Sequence, residues 1–259
     1  MPHDSPSSAA PAALPASPAQ APGLLEAVLT ILGYFILQLG FGMGFKLLSD
    51  ALARWFPDGV PDAPDRIIVV VMLTVVASAW LTIHVVVRRW GSLTRSGGVL
   101  GLGFTEPAGR FIAAGTVLGL VAPLLGGLLT QWLAGDHAVS QTVSEIADKA
   151  HFGMRVALVP VAVLVGPLVE EVLFRGALLA RLRHLTGDGW AIGISGILFG
   201  AVHLPDLGWL WYAVPNLVLV GIFCAWLRVR SGSIWPSYIA HAANNGLAVM
   251  AWFSASTGS

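Results

Sequence analysis

The segment 165–176 (VGPLVEEVLFRG) places three ionisable side chains in a stretch that is otherwise apolar enough to cross a membrane. A charge at the centre of a bilayer costs about 2.5–3.5 kcal/mol on insertion scales, so such residues indicate pairing or chemistry. Glu171 and Arg175 are four residues apart, share one face of a helix and can neutralise each other. Glu170 points about 100° away from Glu171 and lacks such a partner. Glu170 is therefore the first candidate for a functional group, and a purely structural ion pair is the alternative.

Two further polar motifs follow in apolar segments. Phe199-Gly-Ala-Val-His203 places a histidine four residues after an aromatic ring. His241-Ala-Ala-Asn-Asn245 places a histidine and an asparagine on one helical face. One histidine in a membrane can be a core residue bonded to a carbonyl. Two histidines together with two glutamates, an arginine and two asparagines indicate a site.

The spacing along the chain predicts that two of these groups lie at the same depth. A turn at 186–189 would leave Glu170 about 16 residues before it and His203 about 15 residues after it. At about 1.5 Å per residue, two antiparallel helices then bring these side chains level. Gly196 and Gly200 form a small-xxx-small pair, which would let the second helix approach a neighbour closely.

Hydrolysis of a peptide bond by an activated water suits this set of side chains. A carboxylate desolvated by lipid and protein is a suitable general base, which favours Glu170, with His203 sharing the water or transferring the proton. His241 and Asn245 can donate hydrogen bonds to an oxyanion. Glu170, His203 and His241 could instead bind a divalent metal such as zinc, whose bound water would attack. The sequence leaves these two mechanisms open.

The composition is that of a polytopic membrane protein. The chain has 259 residues, 56% of them hydrophobic and 11% charged, whereas a soluble domain has about 25% charged residues. The formal net charge is zero, so nothing indicates a nucleic-acid partner. We expect an all-α transmembrane helical bundle of about seven spans, with six to eight as the range. The predicted spans are 24–46, 67–87, 111–133, 155–180, 189–204, 209–228 and 234–253.

The chain divides into two tails and two membrane regions. Residues 1–23 are rich in Pro and Ala and are expected to form a disordered tail without a cleaved signal peptide. Residues 24–154 hold the N-terminal membrane helices, 155–253 the catalytic core and 254–259 a short tail. Between the two membrane regions, a capping-box pattern at 142–145 predicts a short surface helix. His137 and His151 flank that helix and are expected to be exposed to solvent.

The distribution of Lys and Arg predicts the orientation. Eight lie on the side that holds the N-terminus: Arg88, Arg89, Arg95, Arg110, Arg181, Arg183, Arg228 and Arg230. Five lie on the other side: Lys46, Arg54, Arg66, Lys149 and Arg155. Cytoplasmic loops carry the excess of positive charge. We therefore expect an integral protein of a bacterial cytoplasmic membrane with a cytoplasmic N-terminus, in contact with the lipid bilayer.

These motifs resemble the CAAX-protease and bacteriocin-processing family (CPBP, also called Abi), whose pattern is EExxxR, FxxxH and HxxxN on successive core helices. The matching motifs here are Glu170-Glu171-Val-Leu-Phe-Arg175, Phe199 to His203 and His241 to Asn245. The resemblance covers about 155–250. It implies an intramembrane endopeptidase acting on a membrane-associated peptide or protein, with a cavity open to the cytoplasmic side. The family is commonly classed as a metallopeptidase, although a metal-free water mechanism is also argued.

Within this resemblance the residues take two kinds of role. Glu170, His203, His241 and Asn245 are the expected catalytic residues. The supporting residues are Glu171, Arg175 and Phe199, and Arg175 would keep Glu171 ionised and its helix in place. The family also includes members with scaffolding or immunity roles, so a non-catalytic membrane scaffold of the same fold is the main alternative.

Two other protein classes are weaker alternatives. Gly193-Ile-Ser195-Gly196 spells the GxSG of a rhomboid serine protease, with His241 as a downstream base. That assignment leaves Glu170 and His203 unexplained. A transporter could also use membrane carboxylates and histidines. However, the two halves of the chain show no internal repeat, and the polar groups cluster in one half.

Overall fold

The computed structural model describes residues 22–93, 101–135, 137 and 142–254, and the regular structure within them is helical, as predicted. The helices are α1 (Leu24–Trp55), α2 (Ala63–Trp90), α3 (Gly109–Ala134), α4 (Thr142–Asp148), α5 (Phe152–Thr186), α6 (Asp188–Val202), α7 (Val214–Ser231) and α8 (Trp235–Ser254). Residues 1–21 and 255–259, which hold nearly all of the two predicted tails, lie outside the described residues, as does Arg95.

Each of the seven predicted spans corresponds to a helix. Among the described residues, five helices are long and apolar enough to cross a membrane: α1, α2, α3, α5, and α7 with the turn that precedes it. The fifth predicted span forms α6, which has 15 residues and is shorter than a full membrane crossing. The seventh forms α8, a helix of 20 residues that carries His241 and both asparagines. The chain is thus an integral membrane protein built as a helical bundle.

Local sequence explains where several helices begin and end. The Asp62 side chain caps α2 by accepting a hydrogen bond from the Asp65 amide at 3.1 Å. Gly187 separates α5 from α6, which confirms the predicted turn. Gly232 ends α7 in the left-handed conformation (φ 69°), which glycine adopts without a steric penalty. These ends set the antiparallel order of α5, α6, α7 and α8.

Helix α5 departs from regular α geometry on both sides of the predicted base. Two π-helical segments, Val161–Val165 and Val172–Leu178, flank a short α segment at Gly166–Glu171. Pro167 has no N–H to bond the carbonyl four residues earlier, which lies in the first π segment. Wider turns of this kind are frequent at functional sites and release backbone carbonyls from the helical ladder. Hydropathy alone does not predict these π-helical segments.

Glycines set the distance between α6 and α7. A Cβ atom on Gly196 would lie 2.6 Å from Ile222 Cγ1, and one on Gly200 would lie 2.5 Å from Val218 Cγ2. Neither side chain could be added without a shift of α7. The predicted close approach at the glycine pair is therefore confirmed, and α7 is the neighbour.

The first helix also contributes to the core. α1 packs along α2 and contacts the second π segment of α5. Its buried residues are Ala27, Ile31 and Tyr34, whereas leucines on its other faces are exposed, as expected for a surface that meets lipid. α1 therefore forms one wall beside the polar part of α5.

Candidate active site

Three of the predicted catalytic residues converge from α5, the end of α6 and α8. Glu170 Oε2 lies 3.6 Å from His203 Nε2 and 3.6 Å from His241 Nε2. Both distances exceed that of a direct hydrogen bond and are suited to a shared water. The side chains of Glu170 and His203 are each 18% exposed, so the cluster is largely withdrawn from solvent while keeping an accessible face.

The FxxxH spacing has a local explanation. His203 follows the last turn of α6, where helix carbonyls lack intrahelical partners. Its Nδ1 donates to the Phe199 carbonyl at 2.7 Å, which leaves Nε2 facing Glu170. The Phe199 ring packs against the His203 ring at 4.7 Å and against the His241 ring at 5.3 Å between centroids. Phe199 thus fixes the positions of both imidazoles, through its backbone for one and its ring for both.

Behind His241 lies a fully buried ionic network. Glu171 Oε1 lies 3.0 Å from His241 Nδ1 and 3.2 Å from Arg175 Nη1. Glu171 and Arg175 have no solvent exposure. A second guanidinium nitrogen of Arg175 donates to the Gly221 carbonyl at 3.1 Å. The predicted pairing of Glu171 with Arg175 is present, and the same carboxylate holds Nδ1 of His241 so that its Nε2 faces Glu170.

Asn245 takes a position that sequence reasoning did not anticipate. Its side-chain amide donates to the Ala162 carbonyl at 3.0 Å, in the first π segment of α5. Its own oxygen accepts a hydrogen bond from Asn244 at 3.2 Å. One N–H of the Asn245 amide is thereby used to hold α5, and the other remains for a ligand. Both asparagines line the same cavity as Glu170.

The site opens into a cavity of about 330 Å³. Its polar end holds the two histidines, Glu170, Asp206 and the two asparagines. Apolar side chains of α1, α2, α4, α5 and α7 form the remaining walls: Phe35, Val71, Val75, Val143, Ile146, Leu158, Val161, Leu217 and Val220. In the loop after His203, burial raises the pKa of the Asp206 carboxyl, with His203 opposing the rise and Glu170 adding to it. The shape suits an apolar ligand with one polar reacting group.

The structure does not bring Ser195 to this cavity. The Ser195 hydroxyl is fully buried in α6 and has no hydrogen-bond partner among the described residues. His241, its proposed base, is turned toward the two glutamates. The GxSG motif therefore behaves as a packing element beside α7, consistent with the close approach at Gly196.

Sequence reasoning missed a second acid–histidine cluster at the start of α5. His151 is exposed, as expected, but its Nδ1 lies 3.1 Å from Asp65 Oδ2 and 3.5 Å from Asp62 Oδ2. The His151 backbone N–H also donates to Asp65, at 3.0 Å. Asp62 could be read from the sequence as a helix cap. The contact between Asp62 and His151, which lies 89 positions later in the chain, could not be predicted from the sequence.

The donor types of Glu170, His203 and His241 fit a zinc-type ion. One carboxylate and two imidazoles with their Nδ1 atoms held by hydrogen bonds are a common set of zinc ligands. Their spacing is wider than in the cluster at Asp62, Asp65 and His151, whose ligand atoms all lie within 4.8 Å of one another. The described residues contain no such compact group at Glu170.

Comparison with known proteins agrees with the motifs. Residues 152–247 match the family described as "Type II CAAX prenyl endopeptidase Rce1-like". A protein of Bacillus subtilis (strain 168) named "Putative membrane peptidase YdiL" is 27% identical over 137 residues. The match covers 53% of this chain and 53% of that protein, so it spans about half the length of the relative. No solved structure matches the chain. The region that carries all three motifs matches the Rce1-like CAAX endopeptidase family model, which confirms the resemblance.

Proposed function

We propose that this protein is an intramembrane endopeptidase that hydrolyses a peptide bond of a membrane-associated substrate with a water activated by Glu170. The observation that carries the proposal is the position of Glu170 Oε2, at 3.6 Å from both imidazole Nε2 atoms and on the wall of a largely apolar cavity. A carboxylate in such a place can hold a water between itself and the imidazoles, as a general base requires.

The reaction needs one proton transfer in each direction. Glu170 takes a proton from the water while the water oxygen attacks the substrate carbonyl carbon, and the carbonyl oxygen becomes an oxyanion. The second N–H of Asn245 donates to that oxyanion, and so does Nε2–H of His241 when both of its ring nitrogens carry a proton. The C–N bond then breaks. The proton on Glu170 reaches the leaving nitrogen directly or through His203.

The cavity favours a substrate with an apolar group next to the scissile bond. Its walls are aliphatic and aromatic away from the catalytic end, and a binding site of this kind gains free energy from apolar burial. The family description makes a prenylated CaaX-type protein the first substrate to test. Bacteriocin leaders and other membrane precursors share the same apolar chemistry.

A divalent metal is the alternative means of activating the water. Glu170, His203 and His241 would hold the ion, which would supply a bound water of lowered pKa. The metal content of purified protein distinguishes the two mechanisms. A metal-dependent enzyme would contain about one ion per chain in the wild type and much less in His203→Ala. Equal, substoichiometric metal in both would favour the metal-free mechanism.

The arginine distribution supports a cytoplasmic N-terminus as part of the proposal. In that orientation the turn between α5 and α6, with Arg183 paired to Asp188 at 2.8 Å, faces the cytoplasm. Accessibility labelling of single cysteines in a Cys224→Ala background would test it. The variants His184→Cys and Asp58→Cys should react from opposite sides of the membrane.

The central experiment compares membrane peptides by terminal-peptide mass spectrometry. Cells express wild type, Glu170→Gln or Glu106→Gln at equal levels. Glu106 is an exposed residue between α2 and α3, so its variant makes the same chemical change away from the cavity. New peptide termini with wild type and Glu106→Gln, but not with Glu170→Gln, establish proteolysis and identify the substrate. Identical peptide sets, with a phenotype retained by Glu170→Gln, would favour the scaffold alternative.

A further inference from the structure

We propose that Tyr34 of α1 is an additional catalytic residue, whose hydroxyl donates a hydrogen bond to the reacting carbonyl oxygen, and that Gln38 positions it. This inference rests on the proposed endopeptidase function. It concerns a helix outside residues 152–247, the region that matches the family.

Tyr34 lies in the site although it is distant in sequence from every motif residue. Its side chain is only 2% exposed, yet it lines the same cavity as Glu170 and His203. α1 is held beside these residues by its contact with the second π segment of α5. The hydroxyl is close enough to the carboxylates of Glu170 and Asp206 to interact with both electrostatically.

Gln38 orients this hydroxyl. It follows Tyr34 by one helical turn, so the two side chains share a face of α1. The Gln38 side chain lies close enough to the Tyr34 hydroxyl to interact with it, and it also lines the cavity. A phenol hydroxyl can donate and accept at once. With the amide of Gln38 donating to the phenol oxygen, the phenol hydrogen is free to point into the cavity.

Without this hydroxyl the oxyanion has two donors, and one of them, Nε2–H of His241, is present only when both nitrogens of that ring carry a proton. One N–H of Asn245 is used by the Ala162 carbonyl, and Nδ1 of His241 is used by Glu171. An oxyanion site gains most from several donors fixed in advance, and loss of one such donor lowers kcat by roughly 10²–10³-fold. The Tyr34 hydroxyl supplies a donor that stays neutral while Glu170 and the histidines exchange protons.

Kinetics of Tyr34→Phe test the proposal, because this change removes the hydroxyl and keeps the ring. We expect kcat on a peptide substrate to fall roughly 10–100-fold, with KM within about twofold and the melting temperature retained. Tyr238→Phe is the matched control, since Tyr238 on α8 does not line the cavity, and its kcat should equal that of wild type. Wild-type kcat in Tyr34→Phe, or a fall explained by a lower melting temperature, would overturn the inference.

A double-mutant cycle tests the role of Gln38. If Gln38 acts through the Tyr34 hydroxyl, Gln38→Leu should lower kcat several-fold in the wild type and leave it unchanged in Tyr34→Phe. Equal effects in both backgrounds would contradict a positioning role.

Glu170→Gln in the same assay distinguishes the inference about Tyr34 from the proposed endopeptidase function. If Glu170→Gln is inactive and Tyr34→Phe is fully active, only the inference about Tyr34 is lost. Full activity in Glu170→Gln would remove the proposed function itself.

Discussion

Two acid–base clusters lie along helix α5, one at its N-terminal end and one at its middle. Their contact distances are nearly equal, but their surroundings are very different. The terminal cluster (Asp62, Asp65 and His151) joins the residue before α5 to the start of α2, with the His151 side chain 74% exposed and 3.1 Å from Asp65. The central cluster (Glu171, Arg175 and His241) lies at the middle of α5, with Glu171 fully buried and 3.0 Å from His241. The difference is one of solvent, because the interaction between charges at a given distance grows as the local dielectric constant falls.

That difference determines what each cluster does for the protein. At the protein surface, the exposed Asp62 and His151 and the buried Asp65 join the start of α2 to the start of α5 mainly through hydrogen bonds. In the interior the central cluster cannot lose one member without leaving another charge buried and unpaired. From contact distance alone, the two clusters would be expected to contribute equally to stability. Variants of each cluster distinguish their contributions to stability, and the largest effect is expected in the central cluster.

Among substitutions in the two clusters, Glu171→Ala should lower the stability of the protein most. It removes the partner of Arg175 and of His241 Nδ1, and an uncompensated buried charge costs about 3–5 kcal/mol. We expect little folded protein in detergent extracts, measured by size-exclusion recovery and thermal unfolding. The double variant Glu171→Ala/Arg175→Met should recover much of the loss, because it removes the orphaned charge. If Glu171→Ala has the same melting temperature as the wild type, the central cluster is not held by charge pairing.

Gly196→Ala should disturb the centre of α5 indirectly. The new Cβ would lie 2.6 Å from Ile222 Cγ1 and 3.0 Å from the Ile222 backbone nitrogen, so α6 and α7 must separate. Such overpacking costs about 1–3 kcal/mol and would move His203 away from Glu170. Peptidase activity should fall more steeply than the melting temperature.

Gly193→Ala is the matched control for that variant on the same helix. A Cβ at Gly193 meets no atom within 4 Å, and alanine favours a helix over glycine by about 1 kcal/mol. Its stability should equal or exceed that of the wild type. Equal behaviour of the two alanine variants would mean that the α6–α7 contact does not set the geometry of the site.

Asp65→Asn should weaken the terminal cluster moderately. Asp65 accepts hydrogen bonds from the His151 backbone at 3.0 Å and from its ring at 3.1 Å, and only one of these survives well with an amide. Loss of one such hydrogen bond costs about 0.5–1.5 kcal/mol. Thermal unfolding should show this loss while kcat stays within about twofold. Asp58→Asn, on an exposed residue of the same loop, should change neither quantity.

His151→Ala should have the smallest effect. The His151 ring is largely exposed, and an ion pair with one exposed partner at the surface contributes below about 1 kcal/mol and is screened by salt. The difference in melting temperature between His151→Ala and wild type should shrink further when NaCl is raised to about 1 M. The corresponding difference for Glu171→Ala should not respond to salt. A salt-sensitive central cluster would mean that water reaches Glu171.

The parts of the structure that depend on short-range pattern could be read from the sequence. Apolar length locates the helices, and the four-residue spacing predicts the Glu171–Arg175 contact. The role of Asn245 could not be predicted, because the carbonyl it binds is released only by a π segment. Tyr34 and the partners of His151 could not be predicted either, since contacts between distant residues depend on how the helices pack.

The two π segments also determine the direction in which the side chains of α5 point. One residue turns an α-helix by about 100°, and a π-helical turn holds more residues than an α-helical one. The terminal cluster anchors the start of the helix, and the segment Val161–Val165 then adjusts the direction in which Glu170 points. Deleting a single residue from that segment would leave the span's length and hydropathy almost unchanged. It would nevertheless turn Glu170 out of the cavity, so this stretch tolerates conservative substitution far better than any change in length.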